Sequence, residues 1–167
     1  MNIYKLHSNP ETLAGFDQRT DVPEVLRELA RTKQEPAIEQ QIMKDPNLVL
    51  AYAIKFFNGV GWPAAEEYIM KDAYSAYYYA KYILHRRWKA AEPVIMTDRN
   101  LVLNYASKFL KGVGWPAAEP IIIKDPQWAY MYAIDVLEER WPEAEKYIIK
   151  DRLVWQSYIS AFPDAKR

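Results

Sequence analysis

The chain has no cysteine and only two histidines among its 167 residues. The first absence excludes disulfides, thiol catalysis and cysteine-based zinc sites. His7 lies near the N-terminus and His85 at the end of a predicted helix, so they suggest no metal-ligand pair. Neither sign of charge is in excess: Lys+Arg and Asp+Glu both number 22. A balanced chain has no global field to draw it onto nucleic acid or an anionic membrane, although a local basic patch stays open. No stretch approaches the roughly 18 apolar residues of a membrane-spanning helix. The opening MNIYKLHSNPETLAGF has no apolar core of a secretory leader. The expectation is a cytoplasmic chain with no membrane attachment. Aromatics, by contrast, are plentiful, with 13 Tyr and 6 Trp.

What the sequence does have is repetition. Gly61 to Asp72 (GWPAAEEYIMKD) returns as Arg87 to Asp98 (RWKAAEPVIMTD), Gly114 to Asp125 (GWPAAEPIIIKD) and Arg140 to Asp151 (RWPEAEKYIIKD). Gln34 to Asp45 (QEPAIEQQIMKD) is a weaker copy. The closing aspartates Asp45, Asp72, Asp98, Asp125 and Asp151 stand at steps of 27, 26, 27 and 26. A fixed step of this size signals stacked repeats.

Each repeat unit divides into two short helices, the block forming helix A and the residues after its aspartate helix B. Helix A starts after Trp, with Pro63, Pro116 or Pro142 at a position whose N–H has no intrahelical partner. Glu39, Glu66, Glu92, Glu119 and Glu145 then suit the positive end of the helix dipole. Pro93 and Pro120 are expected to be tolerated in the first turn. The aspartate closes helix A and caps helix B, most clearly in Asp45-Pro46 and Asp125-Pro126. Seven residues further on stand Tyr52, Tyr79, Tyr105, Tyr132 and Tyr158, followed in four copies by alanine, on a core-facing stripe. Helices this short are unstable alone and must gain stability by stacking. The Trp (Trp62, Trp88, Trp115, Trp141), Glu and Tyr of every repeat therefore read as a structural ladder, because stacking is what every repeat shares.

A second period overlies the first. Asn47 to Leu50 matches Asn100 to Leu103, and Gly59-Val60-Gly61-Trp62 matches Gly112-Val113-Gly114-Trp115, 53 residues apart. The intervening copies end instead in a charged last helical turn, His85-Arg86-Arg87 or Glu138-Glu139-Arg140, and the simplest origin is duplication of a two-repeat block. The glycines read as helix terminators, since they lack the Lys-Ser/Thr of a phosphate loop. No Gly-x-Ser-x-Gly elbow is present, and paired glutamates such as Glu66-Glu67 and Glu138-Glu139 read as solvated. We expect no catalytic residue, no metal site and no cofactor.

The informative positions are those that break the repeat. Helix B after Asp72 carries Tyr74, Tyr77, Tyr78 and Tyr82 beside its repeat tyrosine, then Lys81, His85, Arg86 and Arg87. Tyr74, Tyr78 and Tyr82 lie four apart, off the core stripe, and Tyr78 is replaced elsewhere by Ala51, Asn104 and Met131. Unshared tyrosines beside a basic cluster form a candidate contact surface, since Tyr and Arg dominate binding hot spots. The alternative is that these rings pack against adjacent helices. Trp128, Tyr130 and Met131 could extend the same face.

The block Arg140-Trp141-Pro142-Glu143-Ala144-Glu145, with Ala118-Glu119-Pro120 and Lys124-Asp125-Pro126, resembles short tandem repeats of bacteriophage and prophage proteins, of the form R-W-P-E-A-E-P-Y-I-M-K-D-P. The resemblance spans roughly 34 to 160 and departs at Lys89, at Thr97 and in the Gly-Val-Gly turns. It implies a phage-associated helical repeat protein and no reaction.

Together these readings predict an all-α chain: a short α-solenoid of about five stacked two-helix repeats of 26–27 residues with helical end caps. Residues 1–33 would form the N-terminal cap, 34–162 the repeats, in a single domain with that cap, and 163–167 a tail. The expected function is non-enzymatic binding of another protein through Tyr74, Tyr78, Lys81, Tyr82, His85 and Arg86, as a phage-encoded inhibitor or adaptor acting in the host cytoplasm. One alternative is single-strand nucleic-acid binding, with tyrosines on bases and Lys81, Arg86, Arg87 and Lys89 on phosphates; zero net charge weighs against it. Another is a purely structural, self-assembling role. The chain would be a monomer or a small homo-oligomer.

Overall fold

A computed structural model of the protein describes residues 39–165, apart from 41, 45 and 58. The cap expected over 1–33, most of the weak copy and the Asp45 cap lie outside the described residues. Among the described residues the chain is all-α, with nine α-helices and no strand. It divides into two compact units, 1–95 and 96–167.

The first unit contains α1 (Pro46–Phe56), α2 (Pro63–Ile69) and α3 (Ala73–Tyr79), which continues as a wider π-type turn over Ala80–Leu84. A tight 3-10 turn, Lys89–Ala91, then leads into α4 (Glu92–Ile95). The second unit contains α5 (Arg99–Phe109), α6 (Glu119–Ile122) and α7 (Pro126–Tyr132), again continued by a π-type turn, Ala133–Leu137. It closes with α8 (Pro142–Ile148) and α9 (Arg152–Ala161). Packing follows the repeat. In the first unit α3 lies against α1, and α2 contacts both; in the second, α7 lies against α5 and α9, and α8 contacts α7 and α9.

The repeat sequence explains the elements. Each helix A buries an alanine and an isoleucine one turn apart: Ala65 and Ile69, Ala91 and Ile95, Ala118 and Ile122, Ala144 and Ile148. That i, i+4 pair is the apolar stripe of a helix barely two turns long. The aspartates cap helix B. Asp72 accepts from the Ser75 N–H and hydroxyl at 2.8 and 2.7 Å. Asp98, Asp125 and Asp151 each accept two backbone N–H groups, at 2.8–3.2 Å. Each such cap is worth about 1 kcal/mol.

Helix A starts at the expected proline in two repeats, at Pro63 and Pro142. In the other two the α-helix begins only at Glu92 and Glu119, after a 3-10 turn or a hydrogen-bonded turn on Trp115 O. Pro93 and Pro120 supply the reason. Neither can donate to the carbonyl four residues back, Lys89 or Pro116, so the α-type ladder lacks that bond at the start of the helix. Glu67 and Lys146 stand at that place in the other repeats and have the N–H.

Helix B ends in two ways. After α1 and α5 the chain turns through Gly59 and Gly61, or Gly112 and Gly114, all with φ between +72° and +86°. After the π-type turns it reverses at His85 (φ 53°) and Glu138 (φ 57°), charged residues in a left-handed conformation. These residues were expected to form a charged last helical turn; they form the reversal itself. The two endings meet within each unit: the Gly59 N–H donates to Ile83 O at 2.7 Å and the Gly112 N–H to Val136 O at 2.6 Å. Carbonyls in the last helical turn have no partner of their own, and here the preceding repeat provides one. The 53-residue period is thus a pair of unlike helix endings that fit each other.

Candidate functional site

The recurring Trp, Glu and Tyr form one device, seen three times within the units. The Tyr79 hydroxyl accepts the Trp62 backbone N–H and donates to Glu66 Oε1 at 3.3 Å. Tyr132 does the same for Trp115 and Glu119, and Tyr158 for Trp141 (2.7 Å) and Glu145 (3.2 Å). Each tyrosine is fully buried. Burial pushes the Tyr79 and Tyr158 hydroxyls up to about 12, with the neighbouring glutamates adding to the shift. Tyr132 is raised in the same way. The same rings meet the tryptophan that follows: Tyr79–Trp88 and Tyr132–Trp141 are tilted pairs with centroids 5.0 Å apart. Tyr52–Trp62 and Tyr105–Trp115 pair similarly at 5.2 Å. One side chain thereby fixes the tryptophan behind it through its hydroxyl and the one ahead through its face. Such pairs add about 0.5–1.5 kcal/mol beyond area burial.

The unshared tyrosines of α3 are arranged differently. Tyr74, Tyr78 and Tyr82 are half-buried, and Tyr77 is buried. The three half-buried rings lie nearly parallel, Tyr74 to Tyr78 at 6.5 Å and 18°, Tyr78 to Tyr82 at 5.6 Å and 9°. Four residues on a helix rise about 6 Å, so the ladder follows from the sequence spacing. Lys81 Nζ lies 4.9 Å from the Tyr82 ring centroid and 5.6 and 5.9 Å from those of Tyr77 and Tyr78, within cation–π range. Burial works to lower the Lys81 pKa, but hydrogen bonding with Tyr82 and the field of Tyr77 and Tyr82 leave it raised. Tyr77 and Tyr78 are also raised, first by burial. His85 and Arg86 are exposed at the end of the same helix. Four of the six candidate contact residues, Tyr74, Tyr78, Lys81 and Tyr82, therefore lie on α3 and its continuation, and His85 and Arg86 on the reversal that follows, all in the first unit.

Arg87 is engaged elsewhere. Its Nε and Nη2 bond Glu92 Oε1 and Oε2 at 2.5 and 3.0 Å, so it is not a free phosphate ligand. Trp128, Tyr130 and Met131 are half-buried residues of the second unit. Val60 and Val113 protrude from the glycine turns, 82% and 75% exposed. A groove of about 560 Å³ in the second unit was not anticipated; Pro116, Glu119, Pro120 and Trp141 are among its lining residues. Its one sequence signal is the exchange of Arg87 and Arg140 for Gly61 and Gly114 before the repeat tryptophan.

Among the described residues no group of three or more His, Asp or Glu is placed to hold a metal ion. Within the same residues no helix is long and apolar enough to cross a membrane. Comparison of the chain with family models, with curated proteins and with solved structures gives no match.

Proposed function

We propose that this chain is a non-enzymatic protein-binding module whose contact face is α3 and its continuation. The reading rests on one observation: the parallel, half-exposed ladder of Tyr74, Tyr78 and Tyr82 with Lys81 laid against it. No other helix B has an aromatic at any of the three positions; after Asp98 they are Asn100, Asn104 and Lys108, and after Asp125 Gln127, Met131 and Asp135. Repeat stacking therefore does not require the ladder. Tyrosines supply large contact area with a hydroxyl at the rim, and rings already held by their neighbours lose little freedom on binding. His85 and Arg86 add polar contacts at one end. The 26–27-residue step further supports about five repeats stacked as a short α-solenoid with end caps. The resemblance to phage and prophage repeats supports an inhibitor or adaptor directed at a protein of the bacterial host cytoplasm.

The test is capture from bacterial lysate by tagged wild-type chain and by Tyr78→Ala/Tyr82→Ala, each with and without nuclease. The reading predicts a protein held by wild type in both arms and lost from the variant. Capture unchanged by the substitutions refutes the face, and capture abolished by nuclease refutes the class of partner.

A further inference from the structure

We propose that the groove beside α6 receives an arginine side chain from a protein partner, with Glu119 as its acceptor. The four described repeats treat the glutamate of helix A in two ways. Arg87 grips Glu92 with two bonds, and Arg140 grips Glu145 with two, one of them at 2.8 Å. In the glycine repeats the residue before Trp is Gly61 or Gly114, and no guanidinium is supplied. Glu119 is half-buried, and its one hydrogen bond among the described residues is from Tyr132 to Oε1. Glu66 is bonded likewise by Tyr79, but Arg86 lies near enough to influence that tyrosine, which leaves Glu119 the freer acceptor.

The chain cannot fill the place itself. Gly114 has φ +76°, and a Cβ there would lie 2.9 Å from Leu137 Cδ2. Access is instead from outside, through the groove of about 560 Å³ that Glu119 lines. Pro116, Pro120 and Trp141 give it apolar walls suited to an arginine stem, and an indole suits a guanidinium plane. Glu143 also lines the groove, opposed by the single cation Lys124, so its charge favours a cationic occupant. Arginine fits better than lysine because its fork bonds both carboxylate oxygens, as Arg87 and Arg140 do within the chain. The proposal stands apart from the α3 face, and either can fail alone.

The experiment is an NMR titration of the full chain at low ionic strength, following the Trp141 indole and the Gly114 amide. The probe is N-acetyl-arginine-methylamide, with the uncharged citrulline analogue as control. We expect saturable shifts with the arginine probe, at least tenfold weaker binding of the citrulline probe, and no response at the Tyr158 amide, whose clamp is already filled by Arg140. Glu119→Gln keeps an acceptor for Tyr132 and should weaken the arginine probe at least tenfold. Non-saturating drift, or equal response to the two probes, overturns the proposal; the citrulline arm decides even if Glu119→Gln proves unstable.

Discussion

Replacing Tyr132 with phenylalanine removes one oxygen and keeps the ring against Trp141. The hydroxyl accepts the Trp115 backbone N–H and donates to Glu119. Trp115 is 2% exposed, so water cannot reach the abandoned N–H. An unsatisfied buried donor costs about 1–3 kcal/mol. The half-exposed Glu119 can regain a water in place of its 3.3 Å bond, so it adds little. The expected loss is therefore about 2 kcal/mol, which lowers Tm by roughly 4–8 °C in a chain of this size. Urea denaturation measures it, with an unchanged m-value showing that the same surface unfolds. Tyr130→Phe is the matched control, because Tyr130 is half-buried and makes no clamp; it should stay within about 0.5 kcal/mol of wild type. If Tyr132→Phe costs no more than Tyr130→Phe, the clamp is not what joins the repeats.

Three further outcomes follow. Folded Tyr79 and Tyr158 titrate at about 12, and unfolded tyrosine near 10. Their contribution is complete below pH ~10 and is lost as pH rises toward ~12, by about 1.4 kcal/mol per pH unit for each tyrosine. Urea midpoints between those pH values should fall less steeply in Tyr158→Phe. Hydrogen bonding from Arg140 holds the Glu145 carboxyl below its usual range, so its contribution is present above the ordinary carboxylate pKa and lost as pH falls. Arg140→Met should make the acid limb of the same midpoint profile shallower; an unchanged limb would count against the pairing. Gly59→Ala meets nothing within 4 Å and should cost only the left-handed conformation, about 1–2 kcal/mol. At Gly61 a Cβ would stand 2.8 Å from Leu84 Cδ2, so Gly61→Ala should cost measurably more by the same urea titration.

The parts of the fold that repeat were readable from the sequence, because repetition substitutes for an alignment. The Asp caps and the recurring Trp, Glu and Tyr are visible as fixed spacings, since a short helix can satisfy its end only with a nearby side chain. The clamp was not read, because it joins residues 17 apart, as Trp62 and Tyr79, and depends on how two helices face each other. Its constant spacing in three repeats was nonetheless a usable signal. The π-type turns are not visible either: Ala80–Leu84 has no distinguishing composition, and the 26-residue step and the charged His85-Arg86-Arg87 show only that its ending differs from the glycine turns. Pro93 and Pro120 do stand in the first α-turn, and there the α-helix starts later than in the Pro63 and Pro142 repeats. On α3 the i, i+4 spacing foretold the tyrosine ladder, whereas Lys81 lying against Tyr82 depends on side-chain rotamers that spacing does not determine.

The central claim, that the α3 tyrosine face contacts another protein, is met most directly by photo-crosslinking in bacterial cells. A benzophenone amino acid would replace Tyr78 in one chain and Tyr147 in another. Tyr147 is a fair control, being half-buried on α8 with Lys146 and Lys150 Nζ 5.2 and 5.1 Å from its ring centroid. The account predicts a discrete protein adduct from position 78 and none from position 147. Adducts of equal yield from both positions, or from position 147 alone, would contradict it.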